Sequence, residues 1–272
     1  MSNSNNISYL NSCFRKGKLI RWPDETMPVT VFVAPFHWYK SRNDDYEYYA
    51  MIQEAVNIWE RASMGKVKFE FVQNLYNSQI NIEWKRVERK SLGHCQFNFD
   101  QSARLYSAEI SIGLSDGIIH QQYQDKNEVF HTIIHEMGHA LGLNHSPHRN
   151  DIMYVPHQYG ITSVSKRDVT TLKWLYNFPY GITKEEILAH YRVPGSYDLD
   201  KLIYKLETGV SAEEAQASTT ENTTEQDAQL NYEQSKLAEL SKFNISIQNI
   251  NVSKDAQEYF KKLKMDKDFN GK

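Results

Sequence analysis

Four residues of this 272-residue chain carry chemistry by type and spacing: His135, Glu136, His139 and His145, within HEMGHALGLNH. Positions i and i+4 of a helix share one face about a turn apart. His135 and His139 can therefore aim imidazole nitrogens at a single point. Neutral imidazole binds zinc at about 2.0–2.1 Å. Glu136 is rotated off that point but remains close enough to reach a water there. Glycine tolerates positive φ, so Gly142 can stop the helix and let the chain reverse. His145, three residues on, can then return to the same point. Three histidines leave a fourth position open, which suits a catalytic rather than a structural zinc. The spacing H-E-x-x-H arises by chance in roughly one chain of this length in a hundred. A Gly and a His at fixed further offsets make coincidence far rarer, so a helix that merely happens to carry histidines is set aside.

The elements that position these groups are legible in the periodicity. Apolar residues at helical spacing place the motif on a helix over 127–141, with Val129, Phe130, Ile133 and Ile134 turned to a core. A second helix spans 44–64, and Gly65 stops it. Strands are expected at 29–36, 67–72, 79–84 and 107–113, with a shorter one at 93–99. Apolar and polar residues alternate in 67–72 and 107–113, which suits a sheet packed on one face and wetter on the other. Ser165 followed by Asp168 reads as a capped start of a third helix running to Leu175. Together these elements make an α+β domain.

Composition narrows the function. A net charge of −3 gives no electrostatic reason to expect nucleic acid as a partner. No run of 18 apolar residues suggests a transmembrane segment. The first 20 residues lack a basic start and an apolar stretch, so no secretory signal is read. The expected location is the cytoplasm, or the exterior by leaderless export. Cys13 and Cys95 are read as unpaired thiols, because two cysteines make no disulfide framework.

The motif H-E-x-x-H-x-x-G-x-x-H, with Met153 in Asp151-Ile152-Met153-Tyr154 downstream, resembles the signature of the metzincin metallopeptidases. HEMGHALGLNHS…DIMY is most similar to the matrixin, or matrix-metalloproteinase-like, branch. The likeness covers about residues 25–181. It implies a twisted, mostly parallel sheet with one antiparallel edge strand, an active-site helix, and a small C-terminal subdomain holding the Met-turn and a final helix. It also implies a hydrolase, an endopeptidase acting on peptides or proteins. On that reading, zinc would activate water and polarise the scissile carbonyl. Glu136 would take the water's proton and pass it to the leaving amine. The position two residues past Met153 is Val155, so no tyrosine ligand is implied. The Gly- and Asp-rich loop of animal matrixins is missing between 84 and 127, so one catalytic zinc is expected, with no structural zinc or calcium. The inhibitory Pro-Arg-Cys-Gly pattern is missing too, and Cys13 in NSCFRKG is a poor match for a latency thiolate.

By the same likeness, strand 93–99 is the edge along which an extended substrate binds, with His94 and Cys95 on it. The side-chain pocket is walled by residues after the Met-turn: Tyr154, Val155, Pro156 and Tyr159. His131, one turn before His135, is read as lining that pocket or as a plain packed or exposed histidine, and less readily as a metal ligand, because His139 and His145 complete the set. His157 and the other histidines carry no motif support. The chain is divided into an N-terminal extension (1–24), the catalytic domain (25–181), a short helical extension (182–207), an acidic disordered linker (208–229) and a helical tail (230–272). A monomer is expected.

Overall fold

The computed structural model describes residues 7–35, 42–86, 92–114 and 126–210. The linker from residue 211 onward and the helical tail expected at 230–272 lie outside them.

Two short strands, β1 (Phe14–Arg15) and β2 (Lys18–Leu19), form a hairpin. Its two turn residues, Lys16 and Gly17, both have positive φ (50° and 78°), as a type I′ hairpin turn requires. Next come β3 (Val29–Val33), α1 (Arg42–Ala62), β4 (Phe69–Phe71), β5 (Ile80–Arg86), β6 (Gly93–Phe99) and β7 (Leu105–Leu114). Helices α2 (Lys126–Ala140), α3 (Lys166–Asn177), α4 (Lys184–His190) and α5 (Leu199–Thr208) follow.

The main sheet has the order β4-β3-β5-β7-β6. All pairings are parallel except β6 with β7. This is the α+β metzincin arrangement, with the antiparallel strand β6 at the edge. Alternation sets its two faces. Val29, Val31, Ile80, Ile82, Ala108, Ile110 and Ile112 are all buried. On the other face Asn81 donates to Glu109 (2.9 Å) and Ser111 to Glu83 (2.7 Å), both exposed pairs.

α1 and α2 pack together, and α2 also packs on β6 and β7. The Trp59 indole of α1 donates to the Ile134 carbonyl of α2 (2.9 Å), which fixes how the motif helix lies. Trp22 holds the other end of that helix by donating to Ala140 O (2.8 Å). The cap expected for α3 is present as a full capping box between Ser165 and Asp168.

The core does not stop where composition suggests boundaries. Tyr9, Leu10, Cys13, Leu19, Ile20 and Trp22 are buried in the same cluster as the sheet and α2. Ile187, Leu188, Leu199, Leu202 and Ile203 from α4 and α5 join it as well. Gly181 N–H donates to Leu19 O (2.8 Å) and Leu19 N–H to Ile182 O (3.0 Å), so the chain on both sides of residue 181 is tied to β2. The physical reason is that the C-terminal end of α2 needs an apolar cover, and residues 7–22 supply it. No described helix is long and apolar enough to cross a membrane.

Candidate functional site

The motif helix ends as its glycine allows. Gly142 has φ of +98°, and a Cβ there would stand 2.3 Å from the Ile20 carbonyl oxygen. Both the left-handed backbone and the close approach of the N-terminal segment therefore require glycine. The chain then reverses through Leu143 and Asn144 and brings His145 beside His139.

One ligand atom from each of His135, His139 and His145 lies within 4.8 Å of the other two, the single such group among the described residues. His135 Nδ1 bonds Ile152 O (2.8 Å) and His139 Nδ1 bonds Leu143 O (2.9 Å). A carbonyl accepts, so each Nδ1 must carry the proton. Each Nε2 then presents a lone pair to the common point, as a metal-binding imidazole does. His139 Nε2 and His145 Nε2 are 3.1 Å apart. Two zinc ligands at about 2.0–2.1 Å in tetrahedral array stand roughly 3.3 Å apart. The donor set therefore fits a zinc ion.

Electrostatics agree. Burial pushes His135 down to about 4 and His139 down to about 3, and it lowers His145 as well. All three are neutral, and ready as ligands, at neutral pH. Burial pushes the Glu136 carboxyl up to about 8. Among the described residues nothing hydrogen-bonds that carboxylate, and it lines the cleft beside the histidines. A dication held by the histidines would favour the charged form and so oppose the effect of burial.

A cleft of about 530 Å³ runs over the histidines. The expected edge-strand residues His94 and Cys95 line it, as do His131, Tyr154, Val155 and Pro156 from the expected pocket. Tyr159 does not; it is 75% exposed and outside the lining. His157 stands there instead, its ring 3.8 Å from that of His131. His157 belongs to the stretch 155–159 expected to wall the pocket, although it carries no motif support of its own. Its partner is Glu128, which takes the His157 Nε2 contact on one oxygen, while its other oxygen is buried with no partner among the described residues. His131 Nδ1 bonds Ile161 O (2.6 Å), which turns its ring toward the cleft.

Met153 is fully buried. It sits in a tight turn in which Tyr154 N–H donates to Asp151 O (3.1 Å) and Ser146 N–H donates to Met153 O (2.9 Å). Its sulfur packs against Gly138, where a Cβ would come within 2.4 Å. That contact explains a glycine inside the motif helix, which helix propensity alone disfavours.

Cys13 does not reach the histidines. It is fully buried, burial pushes its thiol up to about 12, and its Sγ faces Tyr9 O at 3.8 Å. It is a core thiol of the N-terminal segment.

Two other residues escaped sequence reasoning. Gly93 opens β6, where a Cβ would meet Thr132 Cγ2 at 2.5 Å and the Glu136 carboxylate at 2.7 Å. Arg15, on the β1–β2 hairpin, reaches the cleft and donates to Asn144 Oδ1 (2.8 Å). The Lys-Gly turn at 16–17, set between short apolar-basic pairs, is the signal that could have found that hairpin.

Comparison with known families gives one finding. The family model described as matrixin matches residues 30–177, over half of the chain. No curated protein matches the chain significantly.

Proposed function

Because this chain belongs to the matrixin family of metallopeptidases, we propose that it is a zinc-dependent endopeptidase with Glu136 as its general base. One observation carries the reading. Two imidazoles with fixed tautomers, and a third within reach, converge beside a carboxylate that no described group holds.

His135, His139 and His145 would hold the ion. Bound there, zinc supplies Lewis-acid polarisation of the scissile carbonyl and of water. Glu136 takes the proton of the attacking water and delivers it to the leaving amine nitrogen. The cleft wall around Glu136 keeps the carboxylate poorly solvated, so the proton it gains is held until the amine needs it. β6, the outermost strand of the sheet, offers backbone donors and acceptors along which an extended peptide can lie. His131, Tyr154, Val155 and Pro156 would then border the pocket for one of its side chains, beside the Met153 turn. A single chain contains all these groups, so a monomer suffices.

The test is cleavage of an unstructured protein by the full-length chain loaded with zinc. Wild type should cut it, and chelation should stop the cutting. Glu136→Gln should lower kcat by about 10²–10⁴-fold, the range for removal of a general base, while zinc content stays unchanged. Equal cleavage by wild type and Glu136→Gln would remove the assigned base.

A further inference from the structure

The structure assigns to Arg15, with Lys16 beside it, a subsite for a carboxylate, and so a preference for substrates with Asp or Glu on one flank of the scissile bond. This deepens the peptidase reading above and rests on it.

The cleft has two ends. Gly93 packs on Thr132 and Glu136 near the middle of α2, and His157 with His131 lines the cleft toward the start of that helix. β6 leads from Gly93 to the other end, where Phe97 and Arg15 line the same cleft. Lys16 Nζ lies 5.6 Å from the centre of the Phe99 ring, one step further along. A peptide lying along β6 advances about 3.4 Å per residue. The four residues from Gly93 to Phe97 span roughly 14 Å, so Arg15 meets a side chain within about four residues of the cut.

The guanidinium is held in place but not neutralised. Its Nη2 is tethered to Asn144, the neighbour of His145. Among the described residues no carboxylate forms an ion pair with Arg15 or Lys16. Asp100 shares the adjoining groove with Arg15, Lys16 and Lys18. Its oxygens are already taken by Arg104 Nε (2.7 Å) and by the backbone N–H groups of Ser102 (2.8 Å) and Arg104 (3.1 Å). Within the cleft the single carboxylate among the described lining residues is Glu136. A fixed cation beside a site built for a metal ion is repelled by that ion, and an incoming carboxylate relieves the repulsion. Arginine forms a two-point fork with a carboxylate. The hairpin lies upstream of the residues matched by the family model.

The experiment uses the zinc-loaded full chain and quenched peptides identical except for Glu or Gln, scanned through four positions on each side of the cut. At one flank kcat/KM for the Glu peptide should exceed that for the Gln peptide by about five- to tenfold, and the ratio should shrink in high salt. Arg15→Gln should bring the ratio close to one, and Arg15→Glu should favour a Lys peptide instead. Lys16→Ala, on the exposed turn, should reduce the ratio in part. Binding of the same peptides to Glu136→Gln, read by anisotropy, should show the same order without turnover. Equal rates and equal binding for Glu and Gln peptides at every position would overturn the subsite while leaving the peptidase reading intact. A phosphoserine peptide bound far better than the Glu peptide would overturn the carboxylate assignment. Failure of wild type to cut any peptide would count against the peptidase reading, and the binding comparison would still decide the subsite.

Discussion

His135 and Asp168 hold the same residue, Ile152, by its two ends. The Ile152 carbonyl accepts from His135 Nδ1 (2.8 Å), and the Ile152 N–H donates to Asp168 Oδ2 (3.0 Å). Tyr9 OH donates to the other Asp168 oxygen (2.7 Å). A side chain of the N-terminal segment is thus linked through α3 and the Met153 turn to the first histidine of the motif. Outer partners of this kind fix ligand tautomer and orientation. Asp168→Ala should weaken zinc binding by about 10- to 100-fold. It should also cost on the order of 3 kcal/mol of stability, because the Ile152 and Ser165 N–H groups lose their acceptor. Competitive zinc titration and urea unfolding measure the two effects. Unchanged zinc affinity would show that the turn holds His135 without Asp168.

Gly93→Ala should damage turnover more than folding. The added methyl must displace Thr132 or the Glu136 carboxylate, which ideal geometry puts at 2.5 and 2.7 Å. Misplacing a catalytic group by about 1 Å costs up to about 10²-fold in rate. We expect kcat to fall by about that factor with the melting temperature nearly constant. A variant with full kcat would show that Glu136 has room to move.

A chain shortened to residues 25–181 should not fold. It would lose Tyr9, Leu10, Cys13, Leu19, Ile20 and Trp22, all buried. Burying one large apolar side chain contributes about 1.5–3 kcal/mol, so the loss is on the order of 10 kcal/mol. Domains are typically stable by only about 5–15 kcal/mol. A cooperative melting transition in the shortened chain would contradict the role given to the N-terminal segment.

The same segment marks where sequence reasoning stopped. The strand 93–99 coincides with β6, and the motif helix is off by one residue at each end, because alternation and helical spacing are local signals. The α3 cap was readable from Ser165 and Asp168 for the same reason. Residues 7–22 carry little periodicity, since their order comes from distant partners: Thr171 and Asp168 for Tyr9, Ala140 for Trp22, Asn144 for Arg15. The pairing of His157 with Glu128 is not legible in the sequence, because the two lie 29 residues apart and Glu128 belongs to no motif. Gly138 and Gly93 stand in regular elements, and only the packed neighbours Met153, Trp59 and Thr132 reveal why no side chain fits there.

His131 should make the metal-free protein sensitive to acid. Burial, with the nearby His157 adding to it, pushes this imidazole down to about 4. An unfolded histidine titrates near 6.5. Between about pH 6.5 and pH 4 the unfolded chain takes up a proton that the folded chain refuses. The contribution of His131 is therefore intact above pH 6.5 and is lost as the pH falls through that window. The loss is on the order of 2 kcal/mol. Unfolding of chelated wild type should be compared with that of His131→Leu at pH 7.5 and pH 4.5. Wild type should lose ground to the variant at the lower pH. A constant difference between the two would show that His131 is not held neutral by burial.

The central claim is that three imidazoles hold one zinc and leave a place open. X-ray absorption at the zinc edge of the stoichiometrically loaded full-length chain tests it most directly. The account predicts one tightly bound zinc per chain, with three imidazole nitrogens at about 2.0–2.1 Å, one light-atom ligand besides, and no sulfur. A shell containing a cysteine sulfur, fewer than three imidazoles, or a fourth histidine closing the open place would contradict it.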